Sequence, residues 1–380
     1  MNKPKIRFKG FEGEWKDSML SDFSYSICSG RDTAHKGIYP LYGSTGIIGT
    51  TNKPSYNGAM LLVARVGANA GKLQIINEEC GVSDNTLIIK PNGNISVSWL
   101  YYYLVHCNLN HLVYGSGQPL ITGYMLKRIP ILLGSKKECD EIASYFTALD
   151  TQIAASTSRL SSLKQIKAAS LLNMFPQKGE TVPRVRFKGF QGEWKKVKIG
   201  DVAPLTGGFA FQSGQFKTSG VPIIRISNIL SSGIVGGDFV YYNEFKGDSE
   251  FRLYKGDVVI AMSGATTGKV ATFEANDFGY QNQRVGKFSR TNLVNYELLS
   301  KLVSAPNFQK KIISKLTSSA QPNASSKDID SIDLVVPEET EEQRAIASYF
   351  TTLDAQITLH RKRLEKLKQI KAACLEKMFA

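Results

Sequence analysis

The sequence predicts an α+β fold in which two mixed α/β domains are separated by two long helices that form an antiparallel coiled coil with pseudo-two-fold symmetry. The first observation is a repeat: PKIRFKGFEGEW, from Pro4, returns 179 positions later as PRVRFKGFQGEW, from Pro183. The second is ASYFTALDTQI, from Ala143, which returns 204 positions later as ASYFTTLDAQI, from Ala347. The third is that the stretches between these repeats are dissimilar. One unit is therefore written twice around two divergent inserts.

The repeats divide the chain into five parts. We expect a first domain over 1–137, a central helix over 138–176, a linker over 177–183, a second domain over 184–336 and a C-terminal helix over 337–380. The linker QKGETVP is polar and carries the helix-breaking residues glycine and proline.

Each predicted long helix has an apolar seam at coiled-coil spacing. In the first helix the seam is Ile142, Phe146, Leu149, Ile153, Leu160, Leu163 and Met174, interrupted by Ser156, Lys167 and Ser170. In the second it is Ile346, Phe350, Leu353, Ile357, Leu364, Leu367, Cys374 and Met378, interrupted by His360 and Lys371. Two such helices can bury their seams against each other or against a partner protein. Because both copies share the seam, we expect them to pair with each other, and polar interruptions of this kind specify register. A core helix of an ordinary domain is the alternative interpretation of such a stripe.

The inserts contain short β-rich runs bounded by glycine, proline or asparagine, such as MLLVARVG from Met60 and DVVIAMSG from Asp257. Helical patches are predicted near Ser98–Leu112 and Tyr296–Leu316. The turns GANAGK and GATTGK lie 197 positions apart, and this offset also pairs Asn85 with Asn282, so the inserts are diverged copies of one fold.

The composition favours a polyanionic partner. The chain has 47 Lys and Arg against 33 Asp and Glu, a formal net charge of +14, and both halves carry the excess. A basic surface without a partner is the alternative. The five cysteines include no CxxC pair, which argues against structural zinc and a disulfide framework. With no visible signal peptide, we expect a cytoplasmic protein.

Catalytic motifs are missing from the sequence. The two GxxxGK turns have three residues between their glycines, and Leu or Val follows the lysine, whereas a phosphate loop needs four residues and a Ser or Thr. Neither a methyl-transfer signature nor a nuclease carboxylate cluster is present. We therefore expect no catalytic residues, no bound metal and no enzymatic activity from this chain alone.

In their order and duplication, the motifs resemble the specificity subunit of type I restriction-modification systems. The resemblance lies in RFKGFEGEW and RFKGFQGEW, YPLYGSTGIIG, VARVGANAG, VSDNTLIIKP, VPIIRISNI, YKGDVVIAMSGATTGKVA and EEQRAIASYFTTLDAQI. It covers nearly the whole chain.

The resemblance implies two target recognition domains, each reading one half of an asymmetric bipartite double-stranded DNA site. It implies that the helices set the spacer and dock two modification (methyltransferase) subunits, which in turn bring restriction (motor-nuclease) subunits. Adenosylmethionine, ATP and Mg²⁺ would then belong to those partners, and this chain would hold no cofactor.

Base-contacting residues do not follow from the resemblance, so we select polar and basic residues on predicted glycine-rich loops. In the first domain they are Arg31, His35, Lys36, Ser44, Thr45, Arg65, Asn69, Lys72 and Gln118. In the second they are Gln212, Arg225, Asn228, Ser263, Thr266, Thr267, Lys269, Gln283, Arg284 and Gln321. Arginine pairs naturally with guanine, Asn or Gln with adenine, and lysine with phosphate. For each of them, a structural turn or solvated surface is the alternative role.

A different class of function is also compatible with these observations. A stand-alone DNA-binding regulator would use the two helices to dimerise. Stable association with a methyltransferase would separate a specificity subunit from such a regulator.

Overall fold

The computed structural model describes residues 3–113, 119–316 and 324–379. It contains two β-rich domains and two long helices that pack together, which confirms the predicted α+β class. Candidate residues Gln118 and Gln321 lie outside the described residues.

The first β-rich domain precedes the first long helix. Its strands are β1 (Lys16–Met19), β2 (Ser24–Ser29), β3 (Tyr39–Gly43), β4 (Gly46–Thr51), β5 (Ala59–Ala64), β6 (Leu73–Asn77), β7 (Gly81–Val82), β8 (Thr86–Pro91) and β9 (Pro130–Leu133). Its helices are α1 (Val97–Cys107) and α2 (Gly123–Lys127), and the long helix α3 (Lys136–Asn173) follows.

The second β-rich domain precedes the second long helix. Its strands are β10 (Lys195–Lys198), β11 (Leu205–Gly207), β12 (Val221–Ile224), β13 (Val240–Tyr242), β14 (Arg252–Leu253), β15 (Val258–Ala261), β16 (Val270–Thr272), β17 (Gly279–Gln281), β18 (Val285–Phe288) and β19 (Asp333–Val336). Its helices are α4 (Ile199–Val202), α5 (Tyr296–Ser304), α6 (Pro306–Leu316) and α7 (Ser326–Asp330), and the long helix α8 (Thr340–Lys377) follows. The helix predicted over Tyr296–Leu316 is divided because Pro306 starts a new helix at its first position.

Both domains use one strand plan, to which the second domain adds the strand β14. The first has the sheet orders β2-β8-β5-β6, β4-β3-β7 and β1-β9, and the second has β11-β18-β15-β16, β13-β12-β17-β14 and β10-β19. The central strands β5 and β15 are buried along almost their whole length, so they carry apolar residues on both faces. The shared plan confirms that the inserts are diverged copies of one fold.

The alignment of the two domains shifts by two residues between the central strands. Ala64 pairs with Thr86, whereas its counterpart Ala261 pairs with Val285, an offset of 199 rather than 197. The prediction that Asn85 corresponds to Asn282 is therefore wrong, because the second domain has two extra residues between β16 and β17, whereas the loops before β8 and β18 have the same length. Asn85 corresponds to Arg284 instead.

The chain divides into two compact units, and the division falls inside both long helices. The first unit runs through Ser158 and resumes at His360, and the second comprises Arg159–Leu359. Each unit therefore contains the beginning of one long helix and the end of the other.

Within each unit the two helices run in opposite directions. In the first unit Lys371 Nζ lies 2.6 Å from Asp150 Oδ1, and Tyr145 Oη lies 3.5 Å from Cys374 Sγ. In the second unit the equivalent contacts join Lys167 to Asp354 at 2.6 Å and Ser170 to Tyr349 at 2.8 Å, related to the first set by the 204-residue offset. These contacts confirm the antiparallel pairing. They also place the polar interruptions of the seam where they specify register.

The residues just after the end of each long helix pack against the beginning of the other long helix and complete the core there. Phe379 stacks on Phe146 with ring centroids 5.8 Å apart, and Phe175 stacks on Phe350 at 5.7 Å. The first long helix ends here because Pro176 cannot continue it.

The similar segment at the start of each sequence repeat is fixed to the beginning of the long helix of that repeat by a buried ion pair. The guanidinium of Arg7 donates to both carboxylate oxygens of Glu138, and that of Arg186 donates to both oxygens of Glu342. Both glutamates are 1% exposed. The similar sequences at the repeat starts thus have a structural role.

Candidate DNA interface

The GxxxGK turns connect antiparallel strands at one edge of each domain. In the first domain the turn joins β5 to β6, and Gly67 and Gly71 adopt φ of 76° and 87°, a conformation that glycine reaches without steric cost. Gly264 and Gly268 do the same between β15 and β16, with φ of 71° and 84°. No long helix begins at either turn, which is a further reason why neither can act as a nucleotide phosphate loop.

Three candidate residues of the first domain meet around one cavity. Ser44 and Thr45 lie in the turn between β3 and β4, Lys72 lies just before β6, and all three line a cavity of about 50 Å³. Next to it Tyr42 is fixed by a hydrogen bond of 2.5 Å to Glu78, and burial together with this bond raises the pKa of Tyr42 to about 12. The tyrosine therefore stays a protonated donor that anchors the end of β3.

Arg65 lies beside this cavity, at the end of β5. Its backbone N–H donates to Asn85, and its Nη1 donates to the carbonyl of Asp84 at 3.4 Å. Its Nε is buried and has no hydrogen-bond partner among the described residues. The guanidinium is thus held at the loop edge with donor capacity left over, while Asn69 lies half-buried on the adjacent turn.

The loop between β2 and β3 carries Arg31, His35 and Lys36, all exposed. His35 donates its backbone N–H to Thr50 at 2.9 Å, so the loop follows β4. Asp32 accepts the backbone N–H of Val82 at 2.8 Å and holds the base of the loop. These three side chains are therefore presented to solvent from a fixed backbone.

In the second domain three loops meet at the corresponding edge. Thr266 Oγ1 donates to the carbonyl of Ile226 at 3.2 Å, which joins the GxxxGK turn to the loop after β12. The backbone N–H of Met262 donates to the carbonyl of Arg284 at 2.9 Å, which brings in the loop before β18. The candidate residues on these loops, half-buried or exposed, are Arg225, Thr266, Thr267, Lys269, Gln283 and Arg284. Gln212 is exposed on the separate loop after β11.

Two selected residues belong to the interior instead. Asn228 is 1% exposed: its amide donates to the carbonyls of Gly236 and Asp238, and its Oδ1 accepts the N–H of Arg225. Ser263 is 7% exposed. Both residues are therefore buried, and Asn228 closes the loop that presents Arg225, which is the structural-turn role given above as the alternative.

The two domains place arginine on different strands. Arg65 follows β5, whereas Arg225 follows β12, which corresponds to β3. In both cases one guanidinium nitrogen donates to a loop carbonyl, and the Nε has no partner among the described residues. The same strand plan thus presents an arginine guanidinium from a different strand end in each domain.

Sequence reasoning missed two residues of the cavity, Thr86 and Gln74. Thr86 opens β8 and is the polar member of a buried run, TLII. The sequence signal that could have identified Thr86 is a single hydroxyl residue in a strand that is otherwise apolar on both faces.

The described part of the chain shows no group of three or more His, Cys, Asp or Glu side chains placed to hold a metal ion. None of the helices formed by described residues is long and apolar enough to cross a membrane.

Comparison with known proteins places the chain in one family. The family model described as "Type I restriction modification DNA specificity domain" matches residues 12–165 and 191–369, one match in each repeat. The chain is 23% identical over 390 residues to the type I restriction enzyme MjaVIII specificity subunit of Methanocaldococcus jannaschii, covering 94% of this chain and 90% of that protein. It is 25% identical over 176 residues to the EcoprrI specificity subunit of Escherichia coli, covering 44% and 43%.

Solved structures share the fold. The S subunit of a type I restriction-modification system from M. genitalium superimposes with a TM-score of 0.71 at 15% identity, covering 100% of this chain and 99% of that chain. A chain from a study of type I complex assembly and conformational transition gives a TM-score of 0.52 at 15% identity, covering 98% and 99%. Given two family matches that follow the internal repeat, the chain belongs to the type I restriction-modification DNA specificity family and is a target-recognising, non-catalytic subunit that carries no cofactor.

Proposed function

We propose that each β-rich domain binds one half of an asymmetric bipartite site in double-stranded DNA through the loop edge that carries its GxxxGK turn. The observation that carries the proposal is that one strand plan presents different side chains at equivalent loops, with arginine after β5 in the first domain and after β12 in the second. Two copies of a scaffold with different donors would read different half-sites. The net charge of +14 supports a polyanionic partner.

The residues proposed to contact DNA are the half-buried or exposed candidates on the loops described above, including Gln212 on the loop after β11. In the first domain they are Arg31, His35, Lys36, Ser44, Thr45, Arg65, Asn69 and Lys72. In the second they are Gln212, Arg225, Thr266, Thr267, Lys269, Gln283 and Arg284. Arginine and the amides suit base edges, whereas lysine and the hydroxyls suit phosphates.

The paired helices are the proposed docking surface for two modification subunits, which would carry adenosylmethionine and through which restriction subunits with ATP and Mg²⁺ would join. Support comes from the 204-residue relation between the cross-helix contacts, because it repeats the same helix pairing in both units. Exposed apolar side chains, Ile166 and Leu172 on α3 and Leu359 on α8, offer contact area. Since the DNA and these partners are in the cytoplasm, the same proposal places the chain there.

The regulator alternative is weaker because the apolar seams are buried within one chain and leave no need for dimerisation through them. Co-expression with a cognate modification subunit tests this directly. A stable complex that binds one site far more tightly than the isolated chain supports the proposal, and full site-specific binding by the isolated chain contradicts it.

Helix length is proposed to set the spacer between the half-sites. Both long helices have 38 residues, about 57 Å at 1.5 Å per residue. Inserting one heptad after Ser158 and another after Leu359 keeps the seam in phase and adds about 10 Å, or roughly three base pairs.

Mapping methylated adenines in DNA exposed to the complete methyltransferase complex measures both half-sites and spacer. We expect the half-sites to stay the same and the spacer to lengthen by roughly three base pairs. A heptad inserted after Ser158 alone serves as the control, because it disrupts pairing and should abolish methylation. An unchanged spacer with both heptads present would exclude the ruler role.

A further inference from the structure

The cavity in the first domain has the chemistry of an oxyanion site. It lies between the β3–β4 turn and the strands β5, β6 and β8, and its polar lining consists of Ser44, Thr45, Lys72, Gln74 and Thr86. These side chains offer three hydroxyls, one amide and one ammonium group, and no carboxylate lines the cavity. Such a set of donors suits an acceptor that is negatively charged.

Thr86 is the residue that requires a ligand. The residue lines the cavity and is 1% exposed, and its buried Oγ1 has no hydrogen-bond partner among the described residues. A buried hydroxyl without a partner is destabilising, so its presence calls for a group that enters from outside.

The second domain shows that the fold does not need this hydroxyl. Thr86 pairs with Ala64 at the start of β8, and the equivalent residue, Val285, pairs with Ala261 and is fully buried. The same strand position is therefore built with a methyl group in one copy and a hydroxyl in the other. This difference points to a ligand that only the first domain holds in this way.

The size of the cavity limits what can enter it. At about 50 Å³ it is well below the roughly 300 Å³ of small pockets that enclose whole ligands, so it admits a single group and not a nucleoside. Gly46 also lines the cavity, and a side chain there would meet open space, so a backbone can approach on that side.

We propose that this cavity receives one backbone phosphate of the first half-site, with Thr86 and Ser44 donating to its oxygens and the exposed Lys72 supplying charge. The proposal rests on the proposed function. It assigns Thr86 to DNA binding, and it makes the phosphate contacts of the two half-sites unequal.

The decisive variant is Thr86→Val, which removes the hydroxyl and keeps the shape. Because an unpaired buried hydroxyl is lost, the variant should unfold at the same temperature as the wild type or higher, so weaker binding would not arise from unfolding. The second variant is Lys72→Met, which removes the positive charge from the cavity lining. Val285→Thr is the reciprocal control and should lower the unfolding temperature without improving binding.

The test measures binding of the complete methyltransferase complex to duplexes that carry its mapped site, each with one methylphosphonate linkage in the first half-site. In the wild type, one neutralised linkage should weaken binding about tenfold, as expected for a lost hydrogen bond to a charged group. Thr86→Val should weaken binding to unmodified DNA by a similar factor and show a smaller further loss at that linkage than the wild type, because Ser44 and Lys72 still act on the phosphate there. Lys72→Met should lower the salt slope of binding by about one.

Three results would overturn the proposal. One is wild-type affinity of Thr86→Val on every duplex, which would make the cavity a packing feature. Another is a loss that depends on a single base pair, which would assign the hydroxyl to base reading. If the wild-type complex binds no specific site at all, the proposed function fails first, and this outcome is distinct from a failure of the cavity alone.

Discussion

Replacing Glu138 by alanine tests how the repeated segment is fixed to the first long helix. The carboxylate is 1% exposed and accepts three hydrogen bonds, from Arg7 Nε at 2.7 Å, from Arg7 Nη2 at 2.8 Å and from Trp15 Nε1 at 3.0 Å. Its counterpart Glu342 accepts from Arg186 at 2.7 and 2.8 Å, but Trp194 Nε1 has no partner among the described residues. The two repeats therefore differ by one indole hydrogen bond.

The expected loss in the free energy of unfolding for each glutamate variant follows from this difference. Removing one partner of a buried ion pair costs about 3–5 kcal/mol, and the two arginine side chains are similarly exposed, at 15% and 13%. The ion-pair contribution should therefore be nearly the same in both repeats, and we expect Glu342→Ala to cost about 3 kcal/mol. Glu138→Ala also leaves a buried indole N–H without a partner, which adds about 1–2 kcal/mol.

Urea denaturation of the full chain, followed by tryptophan fluorescence, measures both variants. Double-mutant cycles with Arg7→Met and Arg186→Met separate the ion pair from the indole bond. Equal losses for the two glutamate variants would refute the role of Trp15. Losses below about 1 kcal/mol for both would refute the burial argument, since exposed ion pairs contribute that little.

Three further predictions concern stability, pH and DNA binding. Gly134→Ala would place a methyl group 2.5 Å from the Glu138 carboxylate, so we expect a loss of stability in the same urea assay, and a neutral result would show that the helix start can shift. Burial opposes ionisation of Asp354, but Lys301 and Lys167 outweigh it and hold its pKa below the ordinary value. The stabilisation of the folded state by this carboxylate is therefore present above about pH 4 and lost as pH falls through the folded pKa. Asp354→Asn should reduce the loss of stability that the wild type shows below about pH 5. An unchanged dependence of stability on acid pH would contradict the pairing. Lys269→Ala should weaken binding to all sequences and lower the salt slope by about one, and a changed base preference would instead assign this lysine to base reading.

The long helices could be predicted from the sequence because their signal is local and periodic. A seam repeated over several heptads, present twice, predicts both the helices and their mutual pairing, and polar residues such as Lys371 predict where register is set. The β-rich domains could be predicted as to class, since short β-branched runs between glycine-rich turns favour strands.

The interface could be predicted only in part, because it is assembled from loops that are distant in sequence. Arg225 and Asn228 are three positions apart on one loop, yet one reaches the surface and the other bonds inward to Gly236 and Asp238. Polarity alone does not distinguish these two roles. Thr86 could not be selected from the sequence, because it lies in an otherwise apolar strand whose composition indicates only a core position.

The exchange of helix ends between the repeats has a consequence for how the chain acquires its structure during synthesis. Residues 159–359 are contiguous, so the second compact unit has its complete sequence as soon as Leu359 leaves the ribosome. The first unit is translated earlier, but it needs Phe379 to stack on Phe146 and finish its core. The part of the protein that is made first is therefore completed last. Until the segment from His360 to Phe379 has been synthesised, the apolar seam at the start of the first long helix cannot be buried against it.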